Sequence, residues 1–169
     1  YIQLINSLCM GIALGGSVTT SQLWAEKNTR GFCSVISIVA VLSLALGLLS
    51  SAVTLLFPQQ IISFYADDPL IIEAGTRYLR WIGFALFFLM LSQPTAILLR
   101  SANQPVISFL ASLLGFFVNV IANWLFIYGN LGCPRMEVAG AAVGTLISYV
   151  FQTLFVWGYL LFFVRSIRY

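Results

Sequence analysis

Asn119 and Asn123 stand one helical turn apart in the stretch NVIANWLFIYG, residues 119–129, where nearly every neighbour is hydrocarbon. Each brings a carbonyl oxygen and an NH2 group into that setting. An amide left dry there costs several kcal/mol, about 2–7, so both side chains need partners. Two chemistries meet the need. If the pair faces a wet cavity, its carbonyl oxygens are neutral ligands for a hard cation or a polar substrate. If it faces another helix, Asn–Asn or Asn–backbone bonding holds the helices together, worth about 0.6–2 kcal/mol. The residue types leave both readings open.

The asparagines end a longer stripe. Ser108, Ser112, Gly115, Asn119 and Asn123 are spaced by four, three, four and four, which places them on one helix face. Ala141, Thr145, Ser148 and Gln152 repeat the pattern further on, with Gly140-x-x-x-Gly144 beside them, a spacing that lets two helix backbones approach closely. Ser7, Gly11 and Gly15, then Thr19 and Gln22, make a third such face. Taken singly, the Gly and Ser positions read as packing seams.

The missing residue types exclude other chemistry. The chain has no His, which removes a common metal ligand and proton relay. Cys9, Cys33 and Cys133 lack metal-ligand spacing and read as small apolar residues. No nucleophile–base pair, metal constellation or phosphate-binding loop is present, so an enzyme is not expected.

These side chains must be positioned inside a membrane. Of 169 residues, 60% are hydrophobic and 8% charged, and the mean hydropathy is +0.99. Too few charges are available to cover a soluble domain. They cluster, leaving residues 1–25, 31–66, 81–99, 101–134 and 138–164 without charge. A span needs about 20 apolar residues, which predicts helices over about 4–23, 33–57, 78–99, 106–128 and 138–163. None of these spans holds a titratable acid, base or His deep within it, so any protonation switch must lie on helices outside the chain. Pro58, Pro69, Pro105 and Pro134 fall in connections, while Pro94 is inside a span and is expected to kink it. Trp24, Trp81 and Trp124 fall toward predicted helix ends, as interface anchoring favours. The continuous apolar runs exclude the alternation of a β-barrel. The fold class is an all-α integral membrane protein.

Basic residues set the orientation. Lys27, Arg30, Arg100, Arg165 and Arg168 follow the first, third and fifth spans, whereas Arg77, Arg80 and Arg135 follow the second and fourth. The richer set is assigned to the cytoplasm, so Tyr1 begins on the outer face. With a cytoplasmic N-terminus, an odd number of helices would precede it, one being the simplest count. The chain starts Tyr1-Ile2-Gln3 without Met, which suggests a fragment.

In this order the segments resemble the N-terminal half of the multidrug and toxic compound extrusion (MATE) transporters, from the second helix onward. Residues 15–24, GGSVTTSQLW, resemble the end of that helix. Phe64 to Pro69, leading to Tyr78-Leu79-Arg80, resembles the loop into the fourth helix, which Leu99-Arg100-Ser101 closes. Asn119-x-x-x-Asn123, then Phe126 to Gly129 and Val138 to Thr145, resemble the fifth helix, outer loop and sixth helix. Glu137 and Asn103 depart from positions where the family usually has Gly.

The resemblance implies a five-helix part of a six-helix lobe, within a transporter of twelve helices in two lobes. It assigns residues 1–169 to a partial N-terminal lobe. It also implies a secondary antiporter that exports cationic, amphipathic drugs or toxins, coupled to Na+ or H+ influx and needing no other cofactor. Some members hold a cation in this lobe with an Asp on the first helix, two polar residues one turn apart on the fifth, and a Thr on the sixth. Asn119, Asn123 and Thr145 match the last three positions as the expected cation and substrate site, with Asn119 and Thr145 as Na+ ligands. Asn123 is an amide where some members carry Asp, which removes an acid-based proton switch there.

The partners so implied are membrane lipid, small organic cations, and the first helix and second lobe of the same transporter, not nucleic acid. The location implied is a cell membrane, the inner membrane of a bacterium. Two alternatives are a flippase for lipid-linked oligosaccharide or cell-wall precursors, which would need cationic residues in its cavity, and a non-catalytic membrane subunit.

Overall fold

A computed structural model describes residues 2–65, 68–129 and 138–167. Tyr1, Asp67, Cys133, Pro134, Arg135, Glu137 and Arg168 lie outside these residues. The described chain is all helical: α1 (Ile2–Ala25), α2 (Thr29–Leu56), α3 (Pro58–Ser63), α4 (Pro69–Ser101), α5 (Pro105–Tyr128) and α6 (Val138–Ile167). Five of these, all but α3, are long and apolar enough to cross a membrane.

The observed ends follow from capping, which hydropathy does not register. Asn28 accepts a hydrogen bond from the Gly31 N–H at 3.0 Å, so α2 starts at Thr29 and not at the predicted residue 33. The third predicted span began at 78. The helix begins at Pro69, where Asp68 accepts from the Leu70 N–H at 2.9 Å and proline occupies the first turn. Its extra turns carry an exposed Glu73–Arg77 pair at 3.3 Å, polar residues that an apolar count leaves out. As a result Trp81 sits well inside α4 and not at its end. The predicted connection after Pro58 contains the short helix α3, with Pro58 as its first residue. α5 ends at Gly129, whose φ of 72° is left-handed. Asn103 has a φ of 60° in the turn before α5, a conformation Asn tolerates.

α4 is the centre of the bundle and packs on each of the other helices. Within its span 67% of residues are buried, against 17% for α1, which marks α4 as core and α1 as periphery. Ile82, Leu86, Leu89 and Met90 on α4 meet Ile5 and Cys9 on α1 in one cluster. Leu98 and Leu99 join Phe32 and Ile36 of α2, Ala111 of α5 and Val156 of α6 in another. Apolar side chains such as Leu14, Leu48 and Phe117 point outward, as expected when the solvent is lipid.

The helix runs through Pro94, which has no N–H to offer the Met90 carbonyl. Side chains surround that loosened turn with donors. Ser92 donates to the Leu89 carbonyl at 3.3 Å and Thr95 to that of Leu91 at 2.8 Å. From α6, Trp157 Nε1–H donates to the Leu91 carbonyl at 3.3 Å. The Thr153 hydroxyl, also on α6, lies 2.7 Å from the Tyr149 carbonyl and 3.0 Å from that of Phe88, and shares one proton between them.

One expected packing seam is absent among the described residues. Ser7, Gly11 and Gly15 on α1 are exposed, and a Cβ added at either glycine would meet open space. Their face points away from the bundle because α1 packs through Ile5, Cys9 and Ala13.

Thr153→Val removes a buried donor while keeping the side-chain shape. It is expected to lower the stability of the complete protein by about 0.6–1.7 kcal/mol. Unfolding by SDS titration in mixed micelles measures this, and an unchanged midpoint would show that the α6–α4 bond adds nothing.

Candidate functional site

α5 and α6 meet along the two stripes read from the sequence. Gly140 and Gly144 make the contact possible. A Cβ at Gly140 would lie 2.6 Å from the Phe126 carbonyl oxygen, and one at Gly144 would collide with Asn123 Oδ1. Both neighbours are on α5, so the Gly-x-x-x-Gly pattern has an identified partner.

Beside this contact lies an open cavity of about 400 Å3, lined by α5, α6 and, through Gln93, α4. Its walls include Asn119 and Ser112 from α5, Thr145, Ser148 and Gln152 from α6, and Gln93 from α4. All of the lining side chains are uncharged.

Asn119 and Thr145 are thus brought to one cavity, and Asn123 is not part of its wall. Asn123 lies one turn nearer the Gly129 end, and its Nδ2 donates to Asn119 Oδ1 at 3.0 Å. Its own Oδ1 is buried over Gly144 with no hydrogen-bond partner. The bond between the asparagines therefore runs along α5 and does not tie one helix to another. Asn123 acts on the cavity by holding Asn119.

The hydroxyls are arranged in a consistent sense. Thr145 donates to the Ala141 carbonyl at 2.9 Å, Ser148 to that of Thr145 at 2.8 Å, and Ser112 to that of Ser108 at 3.0 Å. With each proton committed to its own helix, the hydroxyl oxygens keep lone pairs free. Together with the Asn119 carbonyl they make a lining of neutral oxygen acceptors, the donor type a hard cation takes. The amides of Gln93 and Gln152 have no hydrogen-bond partner among the described residues.

Gln93 was not singled out in the sequence, although an amide beside Pro94 within an apolar span was a readable signal. Gln152 was placed on a polar face but not in the site. Tyr149, on the same wall, gave no signal because an aromatic residue in a membrane helix reads as packing.

The sequence profile of the MatE family matches residues 2–125. The chain belongs to that family. MatE proteins are multi-pass membrane transporters and not enzymes. The chain is 23% identical over 157 residues to a probable multidrug resistance protein, YoeA, of Bacillus subtilis, an alignment covering 93% of this chain and 34% of that protein. It is 29% identical over 157 residues to the multidrug export protein MepA of Staphylococcus haemolyticus, covering 90% and 32% respectively. It superposes with a TM-score of 0.83 on the inward-facing structure of a multidrug resistance MATE transporter of the MOP superfamily, at 24% identity, covering 92% of this chain and 34% of that one. The chain therefore spans about a third of the length of the relatives it matches.

Gly144→Ala is expected to push the Asn123 side chain from its seat and to cost about 1–3 kcal/mol by overpacking. Gly158→Ala, where a Cβ meets nothing within 4 Å, serves as the control. Its effect should stay within about 0.5 kcal/mol. Thermal unfolding in detergent compares the two, and equal losses would contradict the close approach at Gly144.

Proposed function

We propose that this MatE segment belongs to a secondary antiporter that exports organic cations or toxins against an inward flow of Na+ or H+. Asn119 and Thr145 act as oxygen ligands of the inward-moving cation, and Asn123 orients Asn119. The observation that supports this most is the neutral, oxygen-lined cavity between α4, α5 and α6 that contains both ligands. The multidrug resistance and export names of its relatives point the same way. An uncharged lining also disfavours a flippase for pyrophosphate-linked substrates, whose anionic head would call for Arg or Lys at that depth.

Transport requires that the ion bind the two access states unequally. The Asn119 carbonyl and Thr145 hydroxyl come from different helices, so a cation held by both senses their separation. A conformation that spreads α5 from α6 at this level loses a ligand, and the ion's affinity falls with it. A full shell needs more oxygens than these two, and Ser148, Gln93 and Gln152 stand on the same walls to supply them.

The test is efflux of a fluorescent organic cation from cells expressing the complete protein, measured against external Na+. Asn119→Ala is expected to raise the Na+ concentration for half-maximal efflux by about ten-fold, with membrane expression unchanged. Asn123→Ala should give a smaller shift, since it only releases Asn119. Unaltered ion dependence in Asn119→Ala would remove the site assignment.

A further inference from the structure

Apart from the cavity just described, a second polar concavity lies at the opposite end of α4, where its first turns meet α3. It measures about 470 Å3, and its lining includes Gln59 of α3 and Glu73, Thr76, Arg77 and Arg80 of α4. The α4 residues recur at i, i+3, i+4 and i+7, so they share one face. α3 is held across that helix through Ile62, which packs against the bare backbone of Gly75, where an added Cβ would come within 2.9 Å of its side chain.

The electrostatics of this hollow are unbalanced. Arg77 is paired with Glu73 at 3.3 Å. Arg80 has no ion pair or hydrogen bond among the described residues, so the lining has one positive charge in excess. Thr76 also departs from the other threonines that are not exposed. Thr20, Thr54, Thr95, Thr145 and Thr153 all return their hydroxyl protons to the carbonyl one turn earlier. The Thr76 hydroxyl is buried and has no partner.

The surroundings set the depth. Phe64 and Tyr65, just after α3, and Leu70, in the first turn of α4, are 86%, 68% and 77% exposed. Side chains of this kind belong in the interfacial layer, where ring and aliphatic groups enter lipid. The guanidiniums then lie at headgroup level, where Arg meets phosphate as a charge-assisted, bidentate donor.

We infer that the hollow between α3 and the first turns of α4 is a docking site for the phosphate headgroup of an anionic phospholipid, held by Arg80 and Arg77 with Gln59 and Thr76 as further hydrogen-bonding groups. The apolar rim favours a lipid over a free anion, because it gives the acyl chains a surface to lie on. The site is separate from the oxygen-lined cavity, so its standing does not depend on the transport reading.

The experiment reconstitutes the complete protein in nanodiscs of mixed phosphatidylglycerol and phosphatidylcholine and measures retained lipid by native mass spectrometry. Phosphatidylglycerol is expected to be retained preferentially. Arg80→Gln should weaken that preference about five-fold, the effect of one basic residue at a charged lipid surface, while Arg80→Lys keeps most of it. Arg77→Gln, which leaves Arg80 in place, should also weaken it, and a melt of each variant confirms that the bundle is intact. Equal retention of the two lipids by the native protein would overturn the proposal, as would a preference unaffected by both Gln substitutions. A third contrary result is stabilisation of the lipid-stripped protein by inorganic phosphate that equals stabilisation by phosphatidylglycerol, which would make the hollow a free-anion site.

Discussion

In hydrocarbon a backbone carbonyl that loses its helical partner has no water to replace it, and this constraint shapes the centre of the bundle. α4 carries Pro94 and is also the helix on which all the others pack. Its weakest turn is therefore also its most enclosed. Ser92 and Thr95 serve neighbouring carbonyls from within the helix, and α6 contributes Trp157 and a share of the Thr153 proton from outside it. These cross-helix donors fix the rotation of α6 about its own axis. That rotation in turn decides which α6 residues face α5, and hence that Thr145, Ser148 and Gln152 share a cavity with Asn119.

The same shortage of water orders the cavity. In a soluble protein, serine and threonine protons are readily taken by solvent. Here they return to the helix carbonyls one turn back. The hydroxyls are left with acceptor oxygens only, beside the amides of Gln93, Asn119 and Gln152, which keep N–H donors as well. Such acceptor oxygens are the donor type that hard cations take.

The sequence carried the spans well because charge is almost absent from hydrocarbon, and all five were placed by that signal alone. It missed the nine residues by which α4 extends beyond residue 78, since Asp68 and Pro69 make a helix start that an apolar count does not register. It missed α3 because six residues are too few for a periodic signal. Asn119 and Thr145 were legible as a pair of polar positions, and the Gly-x-x-x-Gly pattern as a close approach, but nothing local indicated that α5 was the partner. Gln93 comes from a third helix, and its place in the cavity depends on how α4 is rotated. The stripe on α1 shows the limit of periodicity: Ser7, Gly11 and Gly15 have the right spacing for a seam, yet their face looks outward.

The contacts at Gly140 and Gly144 restrict the motions open to this half of the molecule. A screw motion of α6 by one residue along α5 would bring Ala139 or Ala141 to the place of Gly140, where even one methyl group meets the Phe126 carbonyl. The pair thus has a single register and moves as one lever, without a sliding degree of freedom between its two arms. Any excursion that opens the oxygen-lined cavity is a tilt about this glycine contact, with the largest displacement at the ends farthest from it.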